Sequence, residues 1–239
     1  MLLAIDTSTR HAGIALAQEG QVISCRNWYS QTNHSADLVP AISETLDQHG
    51  LSPKDLDGIA CALGPGSFSA LRVGLSTAKG LAMASEIPLV GIKTLELEAY
   101  PFLFNGIPVN AITDVGRQEI AVARFTADGE QDEETTIMKP EKLLNETHEF
   151  SIFCGEGILQ RTDWLRQNLG GLGIVIPFSP SVRLWSLATL GQKMINEHRT
   201  DDISTLQPYY LRMPSIGTPK SRDKIAQQSG TSSKHPLIN

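Results

Sequence analysis

Gly64-Pro65-Gly66-Ser67-Phe68-Ser69-Ala70-Leu71-Arg72-Val73-Gly74 is the stretch from which the fold is read. Two glycines around a proline make a tight turn, and Ser67 stands where a helix N-cap belongs. The turn follows an apolar run over 56–63 that has the composition of a buried strand. It precedes a helix over 67–84 rich in small residues: Ala70, Gly74, Ser76, Ala78, Gly80, Ala82 and Ala84. Upstream, three strands are expected over 2–6, 12–18 and 22–29. A helix over 36–49 follows, with Leu38, Ile42 and Leu46 at i, i+4 and i+8. Downstream, a strand over 88–92 and a helix over 94–104 complete the order βββαβαβα.

After Asn105-Gly106 the same order begins again. Strands are expected over 107–113, 119–125 and 135–139, a short helix over 140–146, and a strand over 151–154. A helix to 169, a strand over 174–176 and a helix over 182–198 complete it. Residue identity hardly repeats, but the punctuation does. An Asp ends the first strand of each half (Asp6, Asp114), and a Gly-x-Gly ends the fourth (Gly64–Gly66, Gly155–Gly157). This duplicated order resembles the two tandem ribonuclease-H-like lobes of actin, sugar kinases and Hsp70. The expected fold is therefore α/β, with mixed sheets flanked by helices. An N-terminal lobe is expected over 1–104. A C-terminal lobe is expected over 105–213, its end packing back on the first.

The chain has 239 residues, 41% of them hydrophobic, with 20 Lys and Arg against 26 Asp and Glu for a net charge of −6. Such a length buries about 70–75% of the unfolded surface. From Pro214 onward the composition turns to Ser, Thr, Pro, Gly, Lys and Gln. Lys220, Arg222, Lys224 and Lys234 against Asp223 give that stretch +3 and leave −9 on the body. Residues 214–239 read as a flexible basic tail. An acidic body argues against a protein that holds RNA by its own charge. The apolar runs are shorter than the roughly 20 residues a bilayer needs, and the N-terminus lacks a basic leader, so no membrane association or secretion is expected. Cys25, Cys61 and Cys154, odd in number and far apart, suggest reduced thiols in a cytoplasmic protein.

Asp6-Thr7-Ser8-Thr9 has the residue types of a phosphate-binding β-turn, an acid for a metal followed by small hydroxyls. Asp114-Val115-Gly116 is its counterpart, but the bulky Arg117 and Gln118 follow it. Both also read as ordinary hairpin turns whose side chains satisfy the backbone. No GxxxxGK[ST] occurs, and the six histidines, His11, His34, His49, His148, His198 and His235, never fall at HxxH or HxxxH spacing. No metal site is expected. The small-residue helix carries an apolar stripe, Leu71, Leu75 and Ala78, and its composition suggests a second packed face against a partner subunit.

Four stretches, LLAIDTSTRHAGIALAQEGQVI (2–23), HSADLVPAI (34–42), ALGPGSFSALRVGLSTAKGLA (62–82) and IPLVGIKTLELEA (87–99), resemble the bacterial TsaB family, also called YeaZ. That family's usual motif is GPGSFTGLR, and Ser69-Ala70 replaces Thr-Gly here. Looser matches run through 112–125 and 207–213. The resemblance implies a non-catalytic, actin-like-fold subunit that pairs with its paralogue TsaD in making N6-threonylcarbamoyladenosine (t6A) on ANN-decoding tRNAs. A TsaE-type ATPase joins the larger complex, and tRNA is contacted mainly through the partner. The HxxxH metal pair of TsaD falls at Thr94 and Glu98 here, which cannot replace two imidazoles.

The family's pairing surface lies on the helices beginning near His34 and Ser67. The interface candidates are therefore His34, Leu38, Ile42, Leu46, Ser67, Leu71, Arg72, Leu75 and Ala78, and self-association as a homodimer is expected without the partner. No cofactor is expected beyond vestigial ATP or ADP binding at Asp6, Thr7, Ser8, Thr9, Asp114 and Gly116. The alternatives are an autonomous ATP-using enzyme of the actin-like superfamily and, behind it, a glycoprotease-type metallopeptidase.

Overall fold

The computed structural model of the chain describes residues 1–30 and 34–212, and the tail read at 214–239 lies outside them. The first half forms β1 (Leu2–Asp6), β2 (His11–Gln18), β3 (Gln21–Tyr29), α1 (His34–Gln48), β4 (Gly58–Gly64), α2 (Phe68–Ser85), β5 (Leu89–Lys93) and α3 (Thr94–Ala99). The second forms β6 (Val109–Asp114), β7 (Ile120–Phe125), β8 (Thr136–Met138), α4 (Pro140–Asn145), β9 (Ser151–Cys154), α5 (Thr162–Asn168), β10 (Gly173–Val175) and α6 (Pro180–Asn196). The order βββαβαβα therefore occurs twice. The third helix, α3, stops at Ala99 instead of running to 104, and a short 3-10 turn, Tyr100–Phe102, follows. Pro101 lacks the N–H that a continuing helix needs.

The strands build two five-stranded mixed sheets, β3-β2-β1-β4-β5 and β10-β9-β6-β7-β8. In each, the first strand runs antiparallel to the second and parallel to the fourth. The two Gly-x-Gly marks are equivalent in structure. Gly64 and Gly155, at the ends of β4 and β9, take φ of +106° and +102°, which a side chain would strain.

Both faces of the first sheet are covered, which is why β1 is a continuous apolar run rather than an alternating one. Leu3, Ile5, Ile14 and Leu16 point to α1 and α2, against Leu38, Ile42, Leu46, Leu75 and Ala78. The residues between them, Leu2, Ala4, Ala15 and Ala17, point to the opposite face and meet Leu184, Leu187 and Ala188 of α6. The second sheet packs Ile112, Val122 and Phe153 on Leu143 of α4 and Leu165 of α5. Its other face meets Leu95 and Ala99 of α3. Each half thus lends its last helix to the other half's sheet. Tyr100 and Trp185, from the ends of the two exchanged segments, lie with ring centroids 5.8 Å apart. Among the described residues no helix is long and apolar enough to cross a membrane.

The seating of α6 depends on missing side chains, most directly its own at Gly191. A Cβ on Gly191 would lie 2.4 Å from the Ala60 Cβ, whereas a Cβ on Gly80 of α2 would meet nothing within 4 Å. Alanine gains up to about 1 kcal/mol over glycine in a helix when there is room for it. In urea unfolding, Gly80→Ala is expected to raise stability by roughly that amount, and Gly191→Ala to lower it. Equal gains at both positions would contradict the close contact of α6 with β4.

Candidate functional site

The loop after β1 is folded onto the start of α2. Thr7 donates its hydroxyl to the Ala70 carbonyl at 2.6 Å, and the Ser67 N–H donates to the Ser8 carbonyl at 2.8 Å. Glycine at two positions permits this: a Cβ on Gly66 would sit 2.0 Å from the Ser8 carbonyl oxygen, and one on Gly74 2.3 Å from Thr7 Oγ1. Ser67 does occupy the N-cap, but its hydroxyl makes no cap bond, and its carbonyl accepts from Leu71 N–H instead. Asp6 Oδ1 accepts from both the N–H and the hydroxyl of Ser8, at 2.8 and 2.7 Å. All four residues, Asp6 to Thr9, are buried.

The other oxygen of Asp6 belongs to a residue that sequence reasoning missed. Arg183, in the first turn of α6, is wholly buried, and its Nε donates to Asp6 Oδ2 at 2.5 Å. Nη1 donates to Glu98 of α3 and to Glu156, both at 3.0 Å. Nη2 donates to Thr9 Oγ1 at 3.0 Å and to the His11 carbonyl at 2.7 Å. Glu156 is also bonded to His11 Nδ1 at 3.0 Å, and the Phe178 ring lies under the guanidinium. Burial works against the arginine's charge, but Asp6, Glu98 and Glu156 outweigh it and hold its pKa above the ordinary value. Three carboxylates share that one guanidinium. Burial pushes the Glu98 carboxyl up to about 7 in spite of Arg183, with the charges of Glu156 and Asp6 adding to the rise. Thr94, one helical turn before Glu98, accepts from Gly64 N–H at 3.1 Å.

The second lobe repeats the arrangement nearer the surface. Asp114 Oδ1 accepts from Gly116 N–H at 2.8 Å, and Oδ2 accepts from Arg161 Nη2 at 3.0 Å. Gly116, Arg117 and Gln118 all have positive φ, so the turn is a left-handed corner with two bulky side chains. Between the lobes lies a cavity of about 650 Å³ reached by Thr9, His11, Asp114, Glu156 and Arg161. Residues 209–212 also line it. Tyr209 N–H bonds to the Leu63 carbonyl, Tyr210 stacks on Phe68 with centroids 4.5 Å apart, and Arg212 pairs with Glu119 of the second lobe.

The structure thus brings the six nucleotide candidates, Asp6, Thr7, Ser8, Thr9, Asp114 and Gly116, to one cleft. The residues present do not fit a metal-bound phosphate there. The hydroxyls of Thr7 and Ser8 are donated inward, that of Thr9 receives Arg183, and each aspartate is matched by an arginine of the same chain. Among the described residues no group of three or more His, Cys, Asp or Glu is arranged to hold a metal ion. Burial pushes the thiols of Cys61 and Cys154 up, while Cys25 is exposed.

The interface candidates divide. Leu38, Ile42, Leu46, Leu71, Leu75 and Ala78 are all at most 5% exposed and belong to the first lobe's own core, which corrects their reading as partner-facing side chains. An acid placed at Leu71 would therefore be buried rather than presented to a partner. His34 is also buried; burial lowers its pKa, against the charges of Asp37 and Asp6. Ser67 and Arg72 are exposed, Arg72 lying over the Phe68 ring and donating to the Tyr210 hydroxyl. The outward face of α2 is a different row: Ser69, Arg72, Ser76, Gly80 and Met83, with Met83 67% exposed.

Comparison with known proteins gives a consistent set. A family model described as TsaD, tRNA N6-adenosine threonylcarbamoyltransferase, matches residues 29–164. The tRNA threonylcarbamoyladenosine biosynthesis protein TsaB of Bacillus subtilis is 31% identical over 220 residues, covering 89% of this chain and 94% of that protein. A tRNA N6-adenosine threonylcarbamoyltransferase of Trichlorobacter lovleyi is 34% identical over 129 residues, 43% of this chain and 38% of that protein. In structure the chain is similar to YeaZ from Pseudomonas aeruginosa. The TM-score is 0.70 at 22% identity, over 88% of this chain and 99% of that one.

The raised Glu98 carboxyl has a measurable consequence. The folded chain keeps a proton that the unfolded chain releases, so stability is full below the unfolded value of 4.5 and falls as pH rises toward about 7. Glu98→Gln keeps an acceptor for Arg183 and carries no charge. Urea unfolding at about pH 5 and about pH 8 is expected to show a larger loss of stability in the wild type than in Glu98→Gln. The same pH response in both proteins would place the shared proton on another group.

Proposed function

The chain belongs to the TsaB family, and from that premise we propose that it serves tRNA threonylcarbamoyladenosine biosynthesis as a non-catalytic subunit that pairs with a TsaD-type transferase. The observation that carries this reading is the state of the cleft. Its two aspartates and its hydroxyl turn are engaged by Arg183, Arg161 and the start of α2, so the groups that would act on a nucleotide are taken up in holding the fold. At the positions of the metal pair of TsaD this chain has Thr94 and Glu98, both bonded inward.

The surface left for a partner is the outward side of α1 and α2. Val39 on α1 and Met83 on α2 are exposed there, and Ser76 and Gly80 keep α2 low enough for another helix to approach closely. A pair of helices from each subunit can cover the 1,200–2,000 Å² of a typical stable interface. Without its paralogue the same face would pair with a second copy. The larger complex includes a TsaE-type ATPase, and the partner carries most of the tRNA contact, in keeping with the acidic body. The chain works in the cytoplasm and needs no cofactor of its own.

Gly80→Arg and Met83→Asp test the reading, because neither side chain supports the core. Gly80→Arg is expected to unfold at or above the wild-type urea concentration and Met83→Asp close to it, and both to lose co-purification with the paralogue and to abolish t6A formation in a reconstituted reaction. Intact heterodimers would remove α2 as the pairing face. Full t6A formation by the paralogue and ATPase without this chain would remove the proposed role itself.

A further inference from the structure

A guanidinium has five N–H donors, and Arg183 places each on a different oxygen. The acceptors come from three separate parts of the molecule. Asp6, Thr9 and the His11 carbonyl belong to the first lobe, Glu98 to α3, and Glu156 to the loop after β9 in the second lobe. His11 of the first lobe reaches the same Glu156, so the second lobe's loop is held twice. The packing of α6 does not call for an arginine here, because Leu184, Leu187, Ala188 and Gly191 seat that helix on the first sheet. A cation in the first turn also opposes the helix dipole, and burying it is costly before any partner is found.

What the arginine joins accounts for its position. We propose that Arg183 is a built-in cation that clamps the two lobes at one angle, holding with a side chain a cleft that would otherwise need a bound ion or ligand to close it. The clamp needs no partner protein and does not depend on the pairing proposed above. Removing the guanidinium leaves the carboxylates of Asp6 and Glu156, joined by Glu98 once it loses its proton, with no countercharge among them, and like charges repel strongly where water is scarce. Asp6 is fixed by Ser8, Glu98 by the packing of α3 and Glu156 by the close fit of its turn on Ile112, so the repulsion is relieved by the second lobe moving as a whole. Arg161 and Asp114 form a similar pair nearer the surface, on the second lobe alone.

Interlobe distance reads this directly. Spin labels at exposed Ser43 on α1 and Glu141 on α4, in a Cys25→Ser background diluted with unlabelled chain, report the angle by pulsed electron resonance. The parent is expected to give one narrow distribution. Glu156→Gln, which keeps the side chain's shape but loses its charge, is expected to broaden it toward distances longer by more than about 2 Å. Arg183→Gly is expected to open further and to close again on adding millimolar guanidinium, but not on adding sodium or urea. A parent-like distribution in Glu156→Gln would overturn the clamp. So would an Arg183→Gly chain that folds with the parent distance. If Arg183→Gly does not fold, the Glu156→Gln distribution decides alone.

Discussion

Arg183 and the three carboxylates around it form the constraint on which the rest of the molecule depends. Taking a guanidinium and three acids out of water carries a penalty of several kcal/mol per charge, and the mutual attraction repays it only when every donor finds an acceptor. Here every donor does, and Glu98 relieves the excess of negative charge by holding its proton up to about pH 7. Removing one partner from such a group typically costs 3–5 kcal/mol, because the charges left behind stay buried. A hydrophobic replacement on α6 alone would therefore not be neutral.

The group can exist only because the lobes exchange helices. α3 leaves the first half to cover the second sheet, and α6 leaves the second half to cover the first. Their starts and ends meet between the sheets, which brings Glu98 and Arg183 beside the loops that end β1 and β9. The same exchange makes each half incomplete without the other, since one face of each sheet is covered by a helix of the opposite half. It also leaves α1 and α2 as the helix layer on the outer face of the first lobe, with Ser76, Gly80 and Ala84 of α2 facing out.

Much of this was legible in the chain. The apolar strand ending at Gly64, the Asp that closes the first strand of each half and the second Gly-x-Gly gave the element order without help from geometry. The cleft position of Asp6 and Asp114 followed from that order. Two things were not legible, for different reasons. An amphipathic stripe such as Leu71, Leu75 and Ala78 says that a face is buried, but not whether its own sheet or another subunit buries it. Arg183 lies 177 positions from Asp6, and no local pattern links a lone basic residue before Leu184 to a carboxylate in another lobe. A signal existed even so: it is a cation at the start of a helix whose neighbouring residues are apolar, a place that the helix dipole disfavours. The glutamate within Gly155-Glu156-Gly157 is a second such mark, a charged residue in a turn otherwise built for close packing.

If the cleft's charges are matched within the chain, Mg-ATP has neither a free aspartate nor a free hydroxyl turn to bind. Isothermal calorimetry of the isolated wild-type chain with Mg-ATP tests that most directly. The expected result is no saturable heat at ligand concentrations up to about 1 mM, a limit of roughly −4 kcal/mol in binding free energy. A stoichiometric, micromolar isotherm would contradict it and would mean that Arg183 and Arg161 release their aspartates to a nucleotide.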